Sequence, residues 1–182
     1  MNSDDAAAPF PYFLCSERLG FRLWRDDDLP LAVGLWGDPE VTRFIDVRGK
    51  LSDDQVREIL QTHIAFQRER GIQYWPVFRL KDGEHVGCCG LRPYDPAHRV
   101  FELGVHIRSC WWRHGFAAEA AAAVIQCAFI KLDASALFAG HNPHNLGSKR
   151  LLEKLGFAYT HDEYYAPTGL QHPSYILKPH AS

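Results

Sequence analysis

The stretch Trp111-Trp112-Arg113-His114-Gly115-Phe116-Ala117-Ala118-Glu119-Ala120 joins two segments of different periodicity. Before it, apolar residues alternate with polar residues or glycine from Phe101 to Arg108, which is the period of a β-strand. After it, residues 117–130 are apolar with almost no charge beyond Glu119, which is typical of a helix buried on most of its surface. The stretch is therefore predicted to be a turn from a strand into a long helix.

Such a turn can bind a phosphate, because the first N–H groups of a helix have no partner within the helix and lie at the positive end of its dipole. Gly115 permits a close backbone approach, and Ala117 and Ala118 leave room for a ligand. A turn with a purely structural role would have the same spacing. The stretch also lacks the Gly-Lys-Ser/Thr ending of a nucleotide P-loop and the G-x-G-x-x-G of a dinucleotide fold.

Length and composition favour one globular domain. The chain has 182 residues and a net charge of -2, which gives no reason to expect nucleic acid binding. Its five cysteines contain no C-x-x-C, and most have apolar neighbours, so we expect reduced, buried thiols in a cytoplasmic protein. The acidic start and the lack of a long apolar run argue against a signal peptide or membrane span. We expect a loose arm at 1–15 and a single domain at 16–182.

Capping residues and alternation predict the remaining elements. Ser52 and Gln55 form a capping box for a helix that ends at Gly71, and Asn145 caps a later helix that ends at Gly156. Asp-Pro at 38–39 opens a short helix. The predicted strands are 19–24, a hairpin of 74–80 and 85–91, then 99–108, 137–141, 157–165 and 174–178. This order implies a mixed α/β sheet with helices on both faces.

Several motifs taken in order resemble the GNAT acyl-CoA N-acyltransferases, over residues 16 to 178. The closest branch is the RimJ/RimL type, whose members acetylate the amino termini of ribosomal proteins and, in relatives, antibiotics and small amines. The motifs are Ser16-Glu17-Arg18-Leu19, Asp38-Pro39-Glu40-Val41, Val86-Gly87, Gly90-Leu91, Glu102-Leu103-Gly104, Trp112 to Ala120, and Asn145 with Ser148 and Glu153 to Phe157.

The resemblance implies the GNAT fold, with a twisted, mostly antiparallel sheet, and acetyl-CoA as the acyl donor. It assigns the pyrophosphate to the loop formed by Trp112, Arg113, His114, Gly115, Phe116, Ala117 and Ala118. It also implies that the backbone around Val105 and Ile107 pairs with the pantetheine arm and that Asn145 hydrogen-bonds it. Arg113 departs from the branch, which usually has glycine there. Arginine is strained if its φ is positive, or else its guanidinium reaches a phosphate of coenzyme A.

Acyl transfer from a thioester to an amine requires a neutral amine, a stabilised oxyanion and a proton for the leaving thiolate. Glu102 is the first candidate for the general base, because a carboxylate on a strand that other elements should cover calls for an explanation. By resemblance Glu102 and His106 lie beside the reacting centre and Ser148 is the general acid. The alternatives are that Glu102 is a structural carboxylate, that His106 is a core histidine and that Ser148 belongs only to a helix cap. Glu163 is a weaker base candidate, and Phe44 is expected to border the acceptor groove.

These assignments predict an N-acetyltransferase that transfers the acetyl group directly to an amine, most simply a protein or peptide α-amino group. The alternatives are a small amine such as an aminoglycoside or polyamine, for which the acidic residues between Asp26 and Asp46 would line the groove, and an acyl-CoA-binding module without catalysis. No metal is expected, because His141 and His144 lack the further ligands that zinc needs. Cys110 is not expected to be a covalent nucleophile, because no base stands near it in the sequence. A monomer or homodimer is expected, without a nucleic acid or membrane partner.

Overall fold

A single eight-stranded sheet organises the chain, and the computed structural model describes residues 12–179. The strands in chain order are β1 (Leu14–Cys15), β2 (Leu19–Phe21), β3 (Tyr74–Arg79), β4 (His85–Asp95), β5 (Val100–Ile107), β6 (Ala136–Gly140), β7 (Ala158–Tyr165) and β8 (Leu170–Leu177). Their spatial order is β1-β2-β3-β4-β5-β6-β8-β7. Every neighbouring pair is antiparallel except β5 and β6, which are parallel.

The parallel pair is short. The β5–β6 ladder joins Val100 to Ala136 and ends where Glu102 pairs with Phe138. Strand β5 nevertheless continues to Ile107 and β6 to Gly140, so the two strands part beyond Glu102. Because parallel strands run in the same direction, the loops that follow β5 and β6 both open at the edge of the sheet where this gap widens.

Helices cover both faces of the sheet, as predicted. They are α1 (Leu29–Trp36), α2 (Pro39–Thr42), α3 (Asp53–Arg70), α4 (Phe116–Lys131) and α5 (Leu146–Lys154). One core cluster joins α4 and α5 to the sheet through residues such as Leu103, Val124 and Leu152. A second cluster on the opposite face joins α1, α2 and α3 to Tyr74 and Cys88. The predicted mixed α/β fold is confirmed.

Local sequence signals account for the helix boundaries. The Ser52 hydroxyl accepts a hydrogen bond from the Gln55 backbone N–H, and the Gln55 side chain accepts one from the Ser52 N–H, which is the predicted capping box. Helix α3 ends at Gly71, whose φ of 71° belongs to the left-handed region. Asp38 and Asn145 each cap their helix by accepting a backbone N–H with the side chain.

Two expectations need correction at the level of local structure. Leu14 and Cys15, at the end of the predicted arm, pair with Phe21 and Gly20 as an edge strand, while residues 1–11 of that arm lie outside the described residues. Strand β2 stops at Phe21, so the predicted alternation to 24 fails: Leu23 is 44% exposed and Trp24 only 4%. Helix α4 is covered over most of its surface, as predicted, and carries an exposed stripe of Ala122, Gln126 and Ile130.

Candidate active site

The loop before α4 has the backbone that the sequence predicted for an anion site. Strand β5 leads into a one-turn 3-10 helix at Ser109–Trp111, and Gly115, with a φ of 79°, is the residue immediately before α4. Arg113 also has a positive φ, 65°, so the condition under which arginine is strained is met. Left-handed residues on either side of His114 turn the chain sharply toward the helix start.

The start of α4 leaves backbone donors open to a ligand. The first bond of the helix runs from the Glu119 N–H to the Gly115 carbonyl, so the N–H groups of Phe116, Ala117 and Ala118 have no partner one turn earlier. Ala117 and Ala118 add only methyl groups, and the exposed Arg113 adds a positive charge in the same loop. These residues fit a diphosphate, which needs several donors, positive potential and space.

Arg18 and Glu119 hold this loop against the N-terminal part of the chain. The Glu119 carboxylate accepts hydrogen bonds from the Ser16 hydroxyl, the Arg18 N–H and the Arg18 Nε, each at 2.7 Å. Arg18 Nη1 also donates to the His114 carbonyl at 3.2 Å. Burial opposes ionisation of Glu119, but the hydrogen bonds from Ser16 and Arg18 outweigh it and lower its pKa.

The sequence did not predict this contact. Arg18 and Glu119 are 101 positions apart, and neither belongs to a local pattern that indicates the other. Both nevertheless flank a predicted binding loop, and their mutual neutralisation leaves the helix dipole available to an external anion.

The start of helix α5 follows β6, the strand on the other side of the gap. Asn145 precedes α5, and its side-chain oxygen accepts the Ser148 backbone N–H at 3.1 Å. The cap that the sequence predicted is therefore present. It uses the backbone of Ser148, so the Ser148 hydroxyl is not needed for capping, and this side chain is partly exposed.

Glu102 lies on the face of the sheet that α3 covers. Its Oε1 accepts hydrogen bonds from the Tyr74 hydroxyl at 3.2 Å and from Arg92 Nη2 at 3.1 Å. The Glu102 side chain is 26% exposed, so the carboxylate is oriented by two partners while water and ligands still reach it. Tyr74 also packs over Gly104, where a Cβ atom would overlap its ring. This contact explains the glycine between the two polar residues of β5.

His106 lies on the same face, as the alternation of β5 predicts, and it is a half-buried, hydrogen-bonded histidine. Trp36 Nε1–H donates to its Nδ1 at 3.1 Å, and Cys88 Sγ lies 3.8 Å from the same atom. Burial, reinforced by the positive charge of Arg92, lowers the pKa of His106 to about 4. His106 is therefore neutral near pH 7. Because tryptophan can only donate, the ring proton of His106 is on Nε2.

Two adjoining depressions lie between α3 and the ends of β4 and β5, and we call them together the acceptor groove. The Glu102 depression, of about 420 Å³, has Phe66, Arg70, Arg92, Tyr94 and Glu102 in its wall. The Glu58 depression, of about 280 Å³, includes Arg48, Glu58, Ile59 and His63 and shares Phe66 and Arg92 with the first. The groove thus passes over Glu102, the residue at which β5 and β6 part.

The acidic residues expected for a cationic acceptor are engaged elsewhere. Asp28 forms a buried ion pair with Arg22, at 2.6 Å between Oδ2 and Nη1. Asp46 pairs with Arg48 at 2.7 Å, and the hydrogen bond from Arg48 lowers its pKa. Asp38 caps α2 and accepts the Ser109 hydroxyl. In the two depressions the cations are Arg48, Arg70 and Arg92, so the groove is not acidic.

A known family matches most of the sequence that forms this loop, gap and groove. The family described as "Acetyltransferase (GNAT) domain" matches residues 18–158. The uncharacterized N-acetyltransferase YoaA of Bacillus subtilis (strain 168) is 34% identical over 149 residues, which cover 81% of this chain and 83% of YoaA. The chain belongs to the GNAT acetyltransferase family. Its family membership makes it an N-acetyltransferase. GNAT enzymes act on an amine acceptor, and the GNAT fold binds acetyl-CoA.

Solved GNAT structures share the fold at low identity. A putative ribosomal-protein-serine acetyltransferase from Vibrio cholerae has a TM-score of 0.80 and 19% identity, covering 94% of this chain and 99% of its own. RimL, a ribosomal L7/L12 α-N-protein acetyltransferase in complex with coenzyme A, has a TM-score of 0.78 and 15% identity, covering 92% and 98%. At these identities the likeness establishes the fold alone.

The structure of this GNAT domain brings some predicted residues together and leaves others apart. Tyr74 contacts Glu102 through its hydroxyl and His106 through its ring, at 5.7 Å between centroids. Glu163 reaches the groove only indirectly, because its carboxylate accepts the Tyr94 hydroxyl at 3.3 Å. Phe44 packs under the Arg43 guanidinium, 4.6 Å from its Cζ, and is not in the walls of the two depressions described above.

Arg92 and Tyr74 are site residues that the sequence analysis missed. Both support Glu102, and Arg92 is in the walls of both depressions. The antiparallel pairing of Arg92 with Glu102 across β4 and β5 could have been derived from the hairpin register, since cross-strand partners share a face.

Within residues 12–179, no three His, Cys, Asp or Glu side chains are grouped to hold a metal ion. His141 is buried, with Nδ1 at 2.8 Å from the Asn142 carbonyl and Nε2 at 3.3 Å from the Tyr175 hydroxyl.

None of the helices in the described chain is long and apolar enough to cross a membrane.

Proposed function

We propose that this protein transfers the acetyl group of acetyl-CoA directly to an amine, and that the amine is the N-terminal α-amino group of a protein or peptide. The observation that carries the proposal is the position of Glu102. Its carboxylate is partly exposed in the acceptor groove at the residue where the β5–β6 ladder ends. A base there would face an acceptor from one side and a donor held in the strand gap from the other.

The donor would occupy two features of the chain. The loop from Trp112 to Ala118 would hold the pyrophosphate with the amides of Phe116, Ala117 and Ala118, which lack helical partners. The backbone of β5 at Val105 and Ile107, beyond the β6 ladder, would pair with the pantetheine arm, with Asn145 on the opposite side. When bound, acetyl-CoA supplies a thioester carbonyl that an amine can attack.

The side chains of the site provide the proton transfers. Glu102 would accept the proton that the attacking amine loses as its nitrogen forms the amide bond, and Ser148 would donate a proton to the departing sulfur. An α-amino group has a pKa of about 8, so a weak base is sufficient near neutral pH. His106 cannot be that base, since its free nitrogen carries the proton and its Nδ1 already accepts from Trp36.

The form of the acceptor groove supports a peptide. The groove is open and consists of two depressions in sequence, with apolar walls at Phe66 and Ile59 and charged groups between them. A peptide end could extend from Glu102 along α3. A polyamine or aminoglycoside would meet Arg48, Arg70 and Arg92, which repel a cation. RimL, a ribosomal L7/L12 α-N-protein acetyltransferase, and the Vibrio cholerae protein, described as a putative ribosomal-protein-serine acetyltransferase, point the same way.

The free cysteine thiols are compatible with a reducing compartment. All five cysteines are free, three of them buried and two, Cys15 and Cys110, exposed. The expectation of buried thiols is thus correct for three. Exposed free thiols persist in the cytoplasm, which we propose as the location.

Product analysis of a panel of acceptors tests the proposal. The purified protein and acetyl-CoA are incubated with a peptide that has a free α-amino group and no lysine, with its α-acetylated counterpart carrying one lysine, with spermidine and with an aminoglycoside. We expect mass spectrometry to find one added acetyl group on the first peptide and none on the other three. Acetylation of spermidine or the aminoglycoside alone would overturn the assignment of the acceptor.

A further inference from the structure

The acceptor groove contains more positive charge than an amine acceptor requires. Three ionic side chains meet in the Glu102 depression, namely Arg70, Arg92 and Glu102. On the proposed function, Glu102 receives the amine. The two arginines would then repel an acceptor that carried only positive charge, and the ion pair with Glu102 accounts for Arg92 but not for Arg70.

Arg92 has donors that the protein does not use. Nη2 donates to Glu102, and the guanidinium carbon lies 4.8 Å from the centroid of the Tyr74 ring. Nε is buried and has no hydrogen-bond partner within residues 12–179. The side chain is 31% exposed, so part of this cation faces the groove. The exposed part of the guanidinium can donate to an acceptor oxygen of a ligand, whereas the buried Nε cannot reach one.

Arg70 supplies a second cation at the same depression. It is the last residue of α3, and its side chain is exposed in the wall that also contains Phe66 and Arg92. In the described part of the chain, no carboxylate forms an ion pair with Arg70. Arg92 is held in place by Glu102 and Tyr74, whereas Arg70 extends from the rim of the groove.

We infer that the acceptor carries a carboxylate close to its amine, and that Arg70 and Arg92 bind this carboxylate while Glu102 receives the amine. The inference rests on the proposed function, because it assumes that the amine lies at Glu102. Two sources share this chemistry. One is an Asp or Glu side chain at the second or third position of a peptide, and the other is the α-carboxylate of a free amino acid.

Equilibrium binding in the presence of coenzyme A tests the inference independently of turnover. The ligands are three C-terminally amidated peptides, Ser-Glu-Ala-Tyr, Ser-Gln-Ala-Tyr and Ser-Lys-Ala-Tyr, together with free serine and serinamide. We expect the Glu peptide to bind about threefold to tenfold more tightly than the Gln peptide, since the contact is a charge-assisted one at a partly exposed site. The Lys peptide should bind least tightly. Preference for free serine over serinamide would instead identify the α-carboxylate as the source.

Two exposed arginines of α3 provide a matched pair of variants. Arg70→Gln should reduce the difference between the Glu and Gln peptides, because only Arg92 then remains to bind the carboxylate, and Arg70→Glu should shift the order toward the Lys peptide. Arg68→Gln, two residues away and outside the walls of the depression, should leave the order unchanged. Equal binding of all three peptides, together with no preference between serine and serinamide, would overturn the inference, as would an equal effect of the two Gln variants.

The rate of coenzyme A release separates the two claims. If the neutral Gln peptide is acetylated but the three peptides bind equally, the inference fails and the proposed function stands. If the binding order holds but no peptide is acetylated, the carboxylate site stands and the proposed function fails.

Discussion

Trp36 Nε1–H donates a hydrogen bond to His106 Nδ1 over 3.1 Å, and this contact fixes which form of the histidine is present. The neutral ring must carry its proton on Nε2, where it can act as a donor and not as a base. Two further histidines, His63 on α3 and His85 on β4, are buried. His63 stacks on Trp36 at 5.3 Å between ring centroids, and His85 lies 5.6 Å from the Trp24 ring.

The lowered pKa values of three histidines make the stability depend on pH. Burial is the main cause that lowers the pKa of His63 to about 3 and those of His85 and His106 to about 4. The unfolded chain takes up these protons near its ordinary pKa of about 6.5, so the free energy of unfolding should fall as pH drops from about 6.5 toward about 4. Each histidine contributes a slope of up to about 1.4 kcal/mol per pH unit. Urea titrations between pH 7 and pH 5 measure the slope.

His85→Phe is the control for that slope. Neither ring nitrogen of His85 has a partner among the described residues, and aromatic rings surround the side chain. The variant should remove about a third of the histidine slope without lowering the stability at pH 8. A free energy of unfolding that does not change from pH 7 to pH 5 would contradict the account.

Replacing Glu102 by glutamine should reduce acetyl transfer without disturbing the fold. Glutamine keeps an oxygen that can accept from Tyr74 and Arg92, but it cannot take a proton. We expect kcat/KM at pH 7 to fall by about a hundredfold, and the deficit to shrink as pH approaches the amine's pKa of about 8. Initial rates across pH measure this. Glu163→Gln, which affects only the Tyr94 contact, should keep its rate within about twofold; the opposite ranking of the two variants would identify Glu163 as the base.

Ser148→Ala should separate catalysis from capping. The cap bond uses the Ser148 backbone N–H, so the variant should unfold at the same urea concentration as the parent. We expect its kcat to fall at least about tenfold, because the departing sulfur loses a proton donor. Asn145→Ala loses the cap and should reduce the free energy of unfolding by about 1 kcal/mol. An unchanged kcat in Ser148→Ala would exclude the hydroxyl as the general acid.

Arg113 has a positive φ, which glycine adopts without strain. Arg113→Gly should raise the free energy of unfolding by about 0.5–1 kcal/mol, because the relief of strain exceeds the added freedom of the unfolded chain. Arg113→Ala keeps the strain and removes the charge, so its stability should match that of the parent. If the guanidinium binds a phosphate, both variants should weaken acetyl-CoA binding by a similar factor in calorimetry. Parental affinity in both would leave Arg113 as a strained residue without a binding role.

Local patterns accounted for the elements and the loop. The capping box at Ser52, the positive φ at Gly71 and the turn before α4 depend on residues within a few positions of each other, so the sequence predicts them. The alternation of β5 also placed Glu102 and His106 on one face, and both contact Tyr74.

Contacts between distant segments could not be predicted in the same way. The Arg18–Glu119 pair depends on how β1 and β2 lie against α4, and no periodicity encodes that distance. The groove is formed by α3 packing over β4 and β5. Its charged residues are Arg48, Glu58, Arg70, Arg92 and Glu102, and none of them is among the acidic residues from Asp26 to Asp46 that the sequence suggested. Leu23 faces outward because β2 ends two residues earlier.

A calorimetric titration with acetyl-CoA, using one substitution at the start of α4, is the most direct test of the central claim. Ala118→Asp adds a carboxylate in the first turn, where it favours the helix through the dipole but repels a pyrophosphate. Ala122→Asp adds the same charge one turn later, at an exposed position. The account predicts acetyl-CoA binding in the parent and in Ala122→Asp, and none in a fully folded Ala118→Asp. Equal binding by all three proteins would contradict it, because the pyrophosphate would then lie elsewhere.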